Sequence, residues 1–241
     1  MRGIILSGGS GTRLRPLTKI TSKQLLPIYN RPMIYYPLNT LIQAGIKEIL
    51  IIVAPERAGD YLNLLGSGKE FGVKFTYEIQ DRPEGIPQAF IIGQNFIDNE
   101  NVALILGDNI FEDDLSSEIQ NFTKGAKIFA KKVADPSRFG VVKFDDKQVA
   151  EVIIEKPQEY VSDYAVTGLY LYDSRVVSVA QEIKPSARGE LEITDVNNWY
   201  LSKGEMTVAP ITGEWLDAGT FDSLLKAQIL AKDKLAAKMV I

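Results

Sequence analysis

The sequence contains no cysteine and no histidine. The first absence removes disulfides, thiolate nucleophiles and cysteine-based metal sites. The second removes Ser-His-Asp hydrolysis, histidine-ligated zinc and imidazole acid–base catalysis. Any chemistry must therefore use carboxylates, Lys, Arg, backbone amides or a hard metal ion. Long apolar stretches are missing too. The longest runs, such as Glu48–Val53 and Val102–Leu106, fall far short of the roughly 20 residues a bilayer span needs. Met1-Arg2 leads straight into a strand-like run and then glycines, without an apolar segment and small-residue cleavage site. A cytoplasmic protein without a membrane partner is expected. With 45% hydrophobic and 24% charged residues over 241 positions, the composition is that of an ordinary globular chain. Disorder, collagen and coiled coil are excluded as overall classes.

One absence is local. No acidic residue occurs before Glu48, whereas Arg2, Arg13, Arg15, Lys19, Lys23, Arg31 and Lys47 give that segment a charge of +7. The rest of the chain carries 20 basic and 31 acidic residues, for an overall −4. This unevenness suggests that the N-terminal segment meets an anion, the alternative being a solvated face charged by chance. The acidic remainder makes nucleic acid an unexpected partner.

The coarse pattern alternates strand and helix. Gly3–Leu6, Glu48–Val53, Lys74–Ile79 and Val102–Leu106 read as strands. Pro32–Ala44 (interrupted by Pro37), Arg57–Leu65 and Ile86–Phe96 read as helices. This alternation predicts an α/β fold: a Rossmann-like, mostly parallel central sheet with helices on both faces. Beyond Lys127 the rhythm changes. Ile128–Val133, Gly140–Phe144 and Gln148–Ile154 are strand-like and separated by Asp135-Pro136-Ser137 and Asp145-Asp146, which predicts an inserted antiparallel subregion. Val166–Tyr172, Met206–Pro210 and Glu214–Leu216 read as further strands, with helices near Ser174–Glu182 and Ile193–Ser202. From Thr220, a plausible N-cap, an amphipathic helix should place Phe221, Leu224, Leu225 and Ile229 on one face. A single domain over 1–241 is expected, falling into halves over 1–125 and 126–219 and a C-terminal helix over 220–241.

The first strand runs directly into Ser7-Gly8-Gly9-Ser10-Gly11-Thr12-Arg13. Three glycines in four positions let backbone N–H groups converge on a phosphate, at the strand end where open sheets bind ligands. The segment lacks the spacing of a P-loop. Leu14 stands where the dinucleotide fingerprint needs its third glycine, which excludes a nicotinamide-dependent dehydrogenase. An Asp ending a strand, as at Asp108 and Asp217, is either a turn former or a candidate ligand for Mg²⁺, which takes one or two carboxylates beside substrate phosphates. Asp113 and Asp114 read as caps for the next helix.

Leu6-Ser-Gly-Gly-Ser-Gly-Thr-Arg-Leu-Arg-Pro-Leu-Thr18, followed by Ser22-Lys-Gln-Leu-Leu-Pro27, resembles the sugar-1-phosphate nucleotidyltransferases. So do Arg31-Pro-Met-Ile-Tyr-Tyr-Pro37, Leu106-Gly-Asp-Asn109, Arg138-Phe-Gly-Val141, Glu155-Lys-Pro157, Tyr164-Ala-Val-Thr-Gly-Leu-Tyr170, Arg188-Gly-Glu-Leu-Glu-Ile-Thr-Asp195 and Trp215-Leu-Asp-Ala-Gly-Thr220. The matches run in order along nearly the whole chain. They lie nearest the branch that joins dTTP to glucose 1-phosphate, giving dTDP-glucose and pyrophosphate. The resemblance implies catalytic roles for Arg13, Lys23 and Lys156, and Mg²⁺ held by Asp108 and Asp217. It implies a nucleotide site of Leu6, Gly8, Gly9, Gly11, Thr12, Arg13, Gln24, Gln80, Pro83, Gly85 and Gly107. Gln80 would read a pyrimidine edge. The sugar site would use Asn109, Gly140, Glu155, Lys156, Val166, Tyr170 and Glu190. Asp81 and Arg82 depart from the family's pattern after Gln80, and Ser7 stands where the family commonly has Ala. The alternatives are UTP or an N-acetylhexosamine 1-phosphate as substrate, and a catalytically silent ligand-sensing subunit. A homo-oligomer is expected, with the apolar face of the Thr220 helix one candidate surface. By the same resemblance, long-form members carry about fifty further residues, a length serving only as a prior. A short form is accordingly expected to be inhibited by dTDP-sugars only through competition at the active site.

Overall fold

A computed structural model describes residues 1–9 and 11–241; Ser10 of the glycine motif lies outside the described residues. The strands, in chain order, are β1 (Arg2–Ser7), β2 (Pro27–Ile28), β3 (Arg31–Pro32), β4 (Glu48–Val53), β5 (Lys74–Ile79), β6 (Val102–Leu106), β7 (Asn109–Phe111), β8 (Ala126–Lys132), β9 (Gly140–Phe144), β10 (Ala150–Glu155), β11 (Tyr164–Tyr172), β12 (Met206–Ile211) and β13 (Trp215–Asp217). The α-helices are α1 (Tyr35–Gln43), α2 (Ala58–Leu65), α3 (Gln88–Ile92), α4 (Gln94–Ile97), α5 (Ser116–Gln120), α6 (Val176–Glu182), α7 (Ile193–Ser202) and α8 (Phe221–Leu230).

Alternation along the strands divides the core. Ile5, Ile51 and Ile105 face one layer with Leu38 and Leu41 of α1, Tyr61 of α2 and Ile119 of α5. Ile4, Leu50 and Leu104 face the other, against Phe90 of α3, Val176 of α6 and Val196 of α7. Strands β6, β1, β4 and β5 are parallel neighbours. Strand β11 then joins β6 antiparallel and carries β9, β10 and β8 onward. The mostly parallel, Rossmann-like sheet and its antiparallel part are thus one continuous nine-stranded sheet. Even here one pair, β12 with β8, is parallel.

Several local expectations need correction. Helix α1 begins at Tyr35 rather than Pro32, so Pro37 sits in its first turn and interrupts nothing, since no N–H is needed there. The helix read over Ile86–Phe96 is two short helices that meet at Gly93. A Cβ at Gly93 would lie 2.9 Å from both the Ala89 carbonyl and Leu50 Cδ2, so the chain crosses the sheet too closely for any side chain. Thr220 does cap α8, its Oγ1 accepting from Ser223 N at 3.2 Å. Its buried face, however, is Leu224, Ala227 and Leu230, while Phe221, Leu225 and Ile229 are 49%, 59% and 53% exposed. Small Ala227 lets the helix settle on Ile110, Met33 and Ala218, which leaves the larger residues outside. Asp114 accepts from Ser116 N at the start of α5, but Asp113 accepts from Thr212 and Gly213 N and pins the loop before β13 instead.

Behind the sheet, Asp173 ties three segments together. Its carboxylate accepts from Gly125 N at 2.9 Å, Tyr200 Oη at 3.0 Å and the Arg175 guanidinium. Burial alone would raise its pKa; Arg175 and the other donors outweigh burial and hold it below the usual carboxylate value. A depressed folded-state pKa stabilises the fold above the unfolded value of about 3.9, an advantage lost as pH falls through the folded value. Asp173→Asn is expected to cost about 1–3 kcal/mol in urea unfolding at pH 7. The gap from wild type should narrow below about pH 4.

Candidate active site

A cleft of about 370 Å³ opens at the carboxyl ends of β1 and β6. The end of β1 delivers Gly8 and Gly9 to its wall. A Cβ on Gly8 would collide with the Gln80 side chain, and one on Gly107 with Ser7 Oγ and Gln24. Gly8 and Gly107 are therefore packed too closely for any side chain, whereas Gly9 stands in open space. Gly11, at φ 61°, turns the chain into a short 3-10 turn over Thr12–Leu14. Leu14 is fully buried against Leu26, Ile28 and Met33. Anchored there, the turn holds Arg13 on the exposed side. Its guanidinium stops at Gly219, where a Cβ would lie 2.7 Å from Nη2 and 2.8 Å from Asp217 Oδ1.

The N-terminal cations divide by position. Arg2 and Lys47 stand at the opposite end of the sheet, where Arg2 pairs with Glu48. Arg31 donates to the Ala236 carbonyl. Of this segment's cations, Lys23 lines the cleft, and the Arg13 guanidinium lies beside Gly219 and Asp217.

Lys23 and Asp108 form a buried ion pair. Asp108 follows β6, and Asp217 ends β13. The two meet because β13 pairs with β7 in the register Asp217↔Asn109, and Ala218 N donates to the Asp108 carbonyl at 2.9 Å. Asp217 Oδ1 is buried and has no partner among the described residues. Burial, then the charge of Asp108, pushes the Asp217 pKa up to about 6. Burial works hardest to raise Asp108, but Lys23 together with the hydrogen bonds at its carboxyl outweighs burial and holds it below its usual value. Two desolvated carboxylates, one with an orphaned oxygen, are a donor set that fits a hard divalent cation. No cluster of three or more carboxylates of that kind occurs among the described residues.

The far end of the cleft is charged and reciprocal. Glu155, on β10, pairs with Gly140 of β9. Its Oε2 accepts from Thr194 Oγ1 at 2.7 Å, and its Oε1 lies 3.4 Å from Lys156 Nζ and 3.5 Å from Arg188 Nη2. Arg188 also donates to Glu192 at 2.7 Å. Lys156 sits at φ 43°, a left-handed conformation uncommon outside glycine, and its N–H donates to the Phe139 carbonyl. Val166, Tyr170 and Glu190 complete that wall.

The cleft thus gathers Leu6, Gly8, Gly9, Lys23, Gln24, Gln80, Pro83, Gly85, Asp108, Gly140, Glu155, Lys156, Val166, Tyr170, Glu190 and Asp217 from separate segments. Gly11, Thr12, Arg13 and Gly107 stand behind or beside its wall. Asn109 departs from its expected role. It is 2% exposed, and its Oδ1 accepts from Gly168 N and Trp215 Nε1 while Nδ2 donates to Asp108. Those bonds make it a brace for the carboxylate site. Gly85, at φ 110°, is pressed against the Leu191 backbone, where a Cβ could not fit. Arg138, Arg188, Glu192 and Thr194 also line the cleft and were not singled out from sequence. The Arg138–Val141 motif contains the first of them and the Arg188–Asp195 motif the other three.

The nucleotidyl transferase family model matches residues 2–234. The chain belongs to the nucleotidyl transferase family. Among curated nucleotidyltransferases, glucose-1-phosphate thymidylyltransferase of Neisseria meningitidis is 53% identical over 234 residues, covering 94% of this chain and 81% of the relative. The Mycobacterium tuberculosis protein of the same name is 52% identical over 232 residues, with the same coverages. A crystal structure from Bacillus anthracis, assigned as a glucose-1-phosphate thymidylyltransferase and in complex with a sucrose, superposes with a TM-score of 0.91 at 51% identity, covering 97% of this chain and 96% of that one. UDP-glucose pyrophosphorylase complexed with UDP-glucose reaches 0.85 at 25% identity, covering 97% and 98%. No helix among the described residues is long and apolar enough to cross a membrane.

Proposed function

We propose that this nucleotidyltransferase joins dTTP and glucose 1-phosphate to give dTDP-glucose and pyrophosphate in the cytoplasm. The observation that carries the reading is that one cleft gathers all three sets of groups. Gly8, Gly9 and Gln80, the Glu155, Lys156 and Arg188 cluster, and Asp108 with Asp217 all line it. The nucleotide half, 1–125, supplies the first group, and the sugar half, 126–219, the second.

The reaction needs no general base. A sugar phosphate has a second pKa near 6, so it is already a dianionic nucleophile at pH 7. Its oxygen attacks the α-phosphorus of dTTP in line; that P–O bond forms as the bond to the bridging oxygen breaks, and pyrophosphate leaves. Catalysis is therefore placement of two anions and neutralisation of their charge. Lys156 and Arg188 hold the sugar phosphate, and Glu155 orients a sugar hydroxyl. Arg13 and Lys23 receive the triphosphate, with Lys23 drawn from its pairing with Asp108. Mg²⁺ held by Asp108 and Asp217 would supply further charge neutralisation between the substrates.

UTP is the second reading, favoured by the close superposition on UDP-glucose pyrophosphorylase. Thymine and uracil differ by one methyl, a difference worth about 1–3 kcal/mol in a pocket. The test is pyrophosphate release across four nucleotides and several sugar phosphates. The highest kcat/KM is expected for dTTP with glucose 1-phosphate, with UTP at most about 200-fold lower. Preference for an N-acetylhexosamine 1-phosphate, or no turnover with any pair, overturns the proposal. Such a protein would be read instead as another transferase or a silent sensor.

A further inference from the structure

Gln80 has a side chain whose two ends look alike in shape and differ in chemistry: one accepts hydrogen bonds and the other donates them. Which end faces the base must be settled by its neighbours. The chain of neighbours begins at a group with no ambiguity. Glu84 N is a backbone donor and can only donate. It gives its hydrogen to Gln88 Oε1 at 3.1 Å, which fixes that end of Gln88 as the acceptor. Gln88 Nε2 then donates to Glu84 Oε2 at 2.9 Å, so both ends of Gln88 are held. The same Gln88 Oε1 accepts from Gln80 Nε2 at 2.5 Å. Gln80 must therefore turn its donor end toward α3 and its carbonyl oxygen toward Gly8, the side on which that oxygen lies.

We infer that Gln88, locked by Glu84, is a positioning residue that sets which pyrimidine this site accepts. The inference rests on the nucleotide end proposed above. With the carbonyl so presented, Gln80 accepts from the N3–H of thymine or uracil, and the second hydrogen of Nε2 remains for a ring carbonyl. Cytosine offers an acceptor at N3, so two acceptors would face each other. With Gln88 absent, Gln80 can turn over, and the turned amide suits cytosine. Specificity for imide bases is then held two residues behind the base, in side chains that need not touch it. Nothing in the motif sequence alone announces this, because Gln88 sits in the first turn of an ordinary short helix.

The test compares pyrophosphate release from dTTP and dCTP, with glucose 1-phosphate, in wild type, Gln88→Leu, and the swap Glu84→Gln with Gln88→Glu. In the swap, a carboxylate at 88 still accepts from Gln80 and from the backbone of residue 84, and the amide at 84 donates to it. Gln88→Leu is expected to lower the dTTP:dCTP ratio of kcat/KM roughly tenfold or more. The change should lie mainly in KM for dTTP, with KM for glucose 1-phosphate unmoved. The swap should restore the ratio to within about threefold of wild type, which a purely structural loss would not allow. An unchanged ratio in Gln88→Leu overturns the inference, as does a fall that the swap fails to repair. Wild type that releases no pyrophosphate from dTTP overturns the proposed activity and this inference together, whereas normal wild-type activity with an unchanged ratio overturns this inference alone.

Discussion

Asp108→Asn and Asp217→Asn are each expected to lower turnover by roughly 10²–10³-fold or more, with the fold intact by circular dichroism. The reason is the dry, crowded setting of the pair. Asp217 has a buried oxygen without a partner among the described residues, and its proton affinity is raised by burial and by Asp108. An amide in either position removes one charge from the pair proposed to hold a divalent cation between two anionic substrates. Asp108→Asn has a second consequence, since Lys23 loses its carboxylate partner. The measurement is pyrophosphate release at limiting and saturating Mg²⁺. The variants should need more Mg²⁺ for half-maximal rate; near-normal turnover at limiting Mg²⁺ in either one would remove that residue from the metal site.

The cations should separate by substrate. Arg13→Ala is expected to lower kcat about 10²-fold with little change in KM for glucose 1-phosphate, because its charge matters most as pyrophosphate departs. Lys156 is expected to act on the other substrate, with KM for glucose 1-phosphate rising at least about tenfold on its loss. Its positive φ complicates the choice of replacement. Alanine would lose the ammonium and keep the backbone strain, while glycine loses the ammonium and relieves it. Lys156→Gly and Lys156→Ala should therefore share the KM effect and differ in thermal stability, with the glycine variant the more stable. An unchanged KM in both variants would show that the sugar phosphate is held elsewhere.

Much of the nucleotide end was legible because it is local. A buried strand, a run of glycines and a cation lie within fifteen residues, and their order alone places them at a strand's carboxyl end. Helix α7 was also readable, bounded by the residues the pattern suggests, Ile193–Ser202. What escaped depends on distant pairings. Asn109 looks like a free polar residue after a strand until Trp215 and Gly168 are brought onto it. Arg188 and Thr194 acquire meaning only when β10 carries Glu155 to them. The outer face of α8 differs from its sequence pattern for another reason. Its periodicity supports two apolar stripes, and the smaller alanine-containing one packs inward because it permits the closer approach. Membership of the family was evident in the ordered motifs, whereas the orientation of the Gln80 amide was not, since it depends on a backbone donor at Glu84.

The short ladder between β7 and β13 has a consequence for how the protein is made. It joins Asn109 to Asp217, so one carboxylate of the pair is synthesised long before the other. The parallel pairing of β1 with β6 and the docking of β13 on β7 both join segments far apart in the chain, so neither contact forms from local chain alone. The two carboxylates come together only once β13 has docked, and any chemistry that needs both must wait for that late contact.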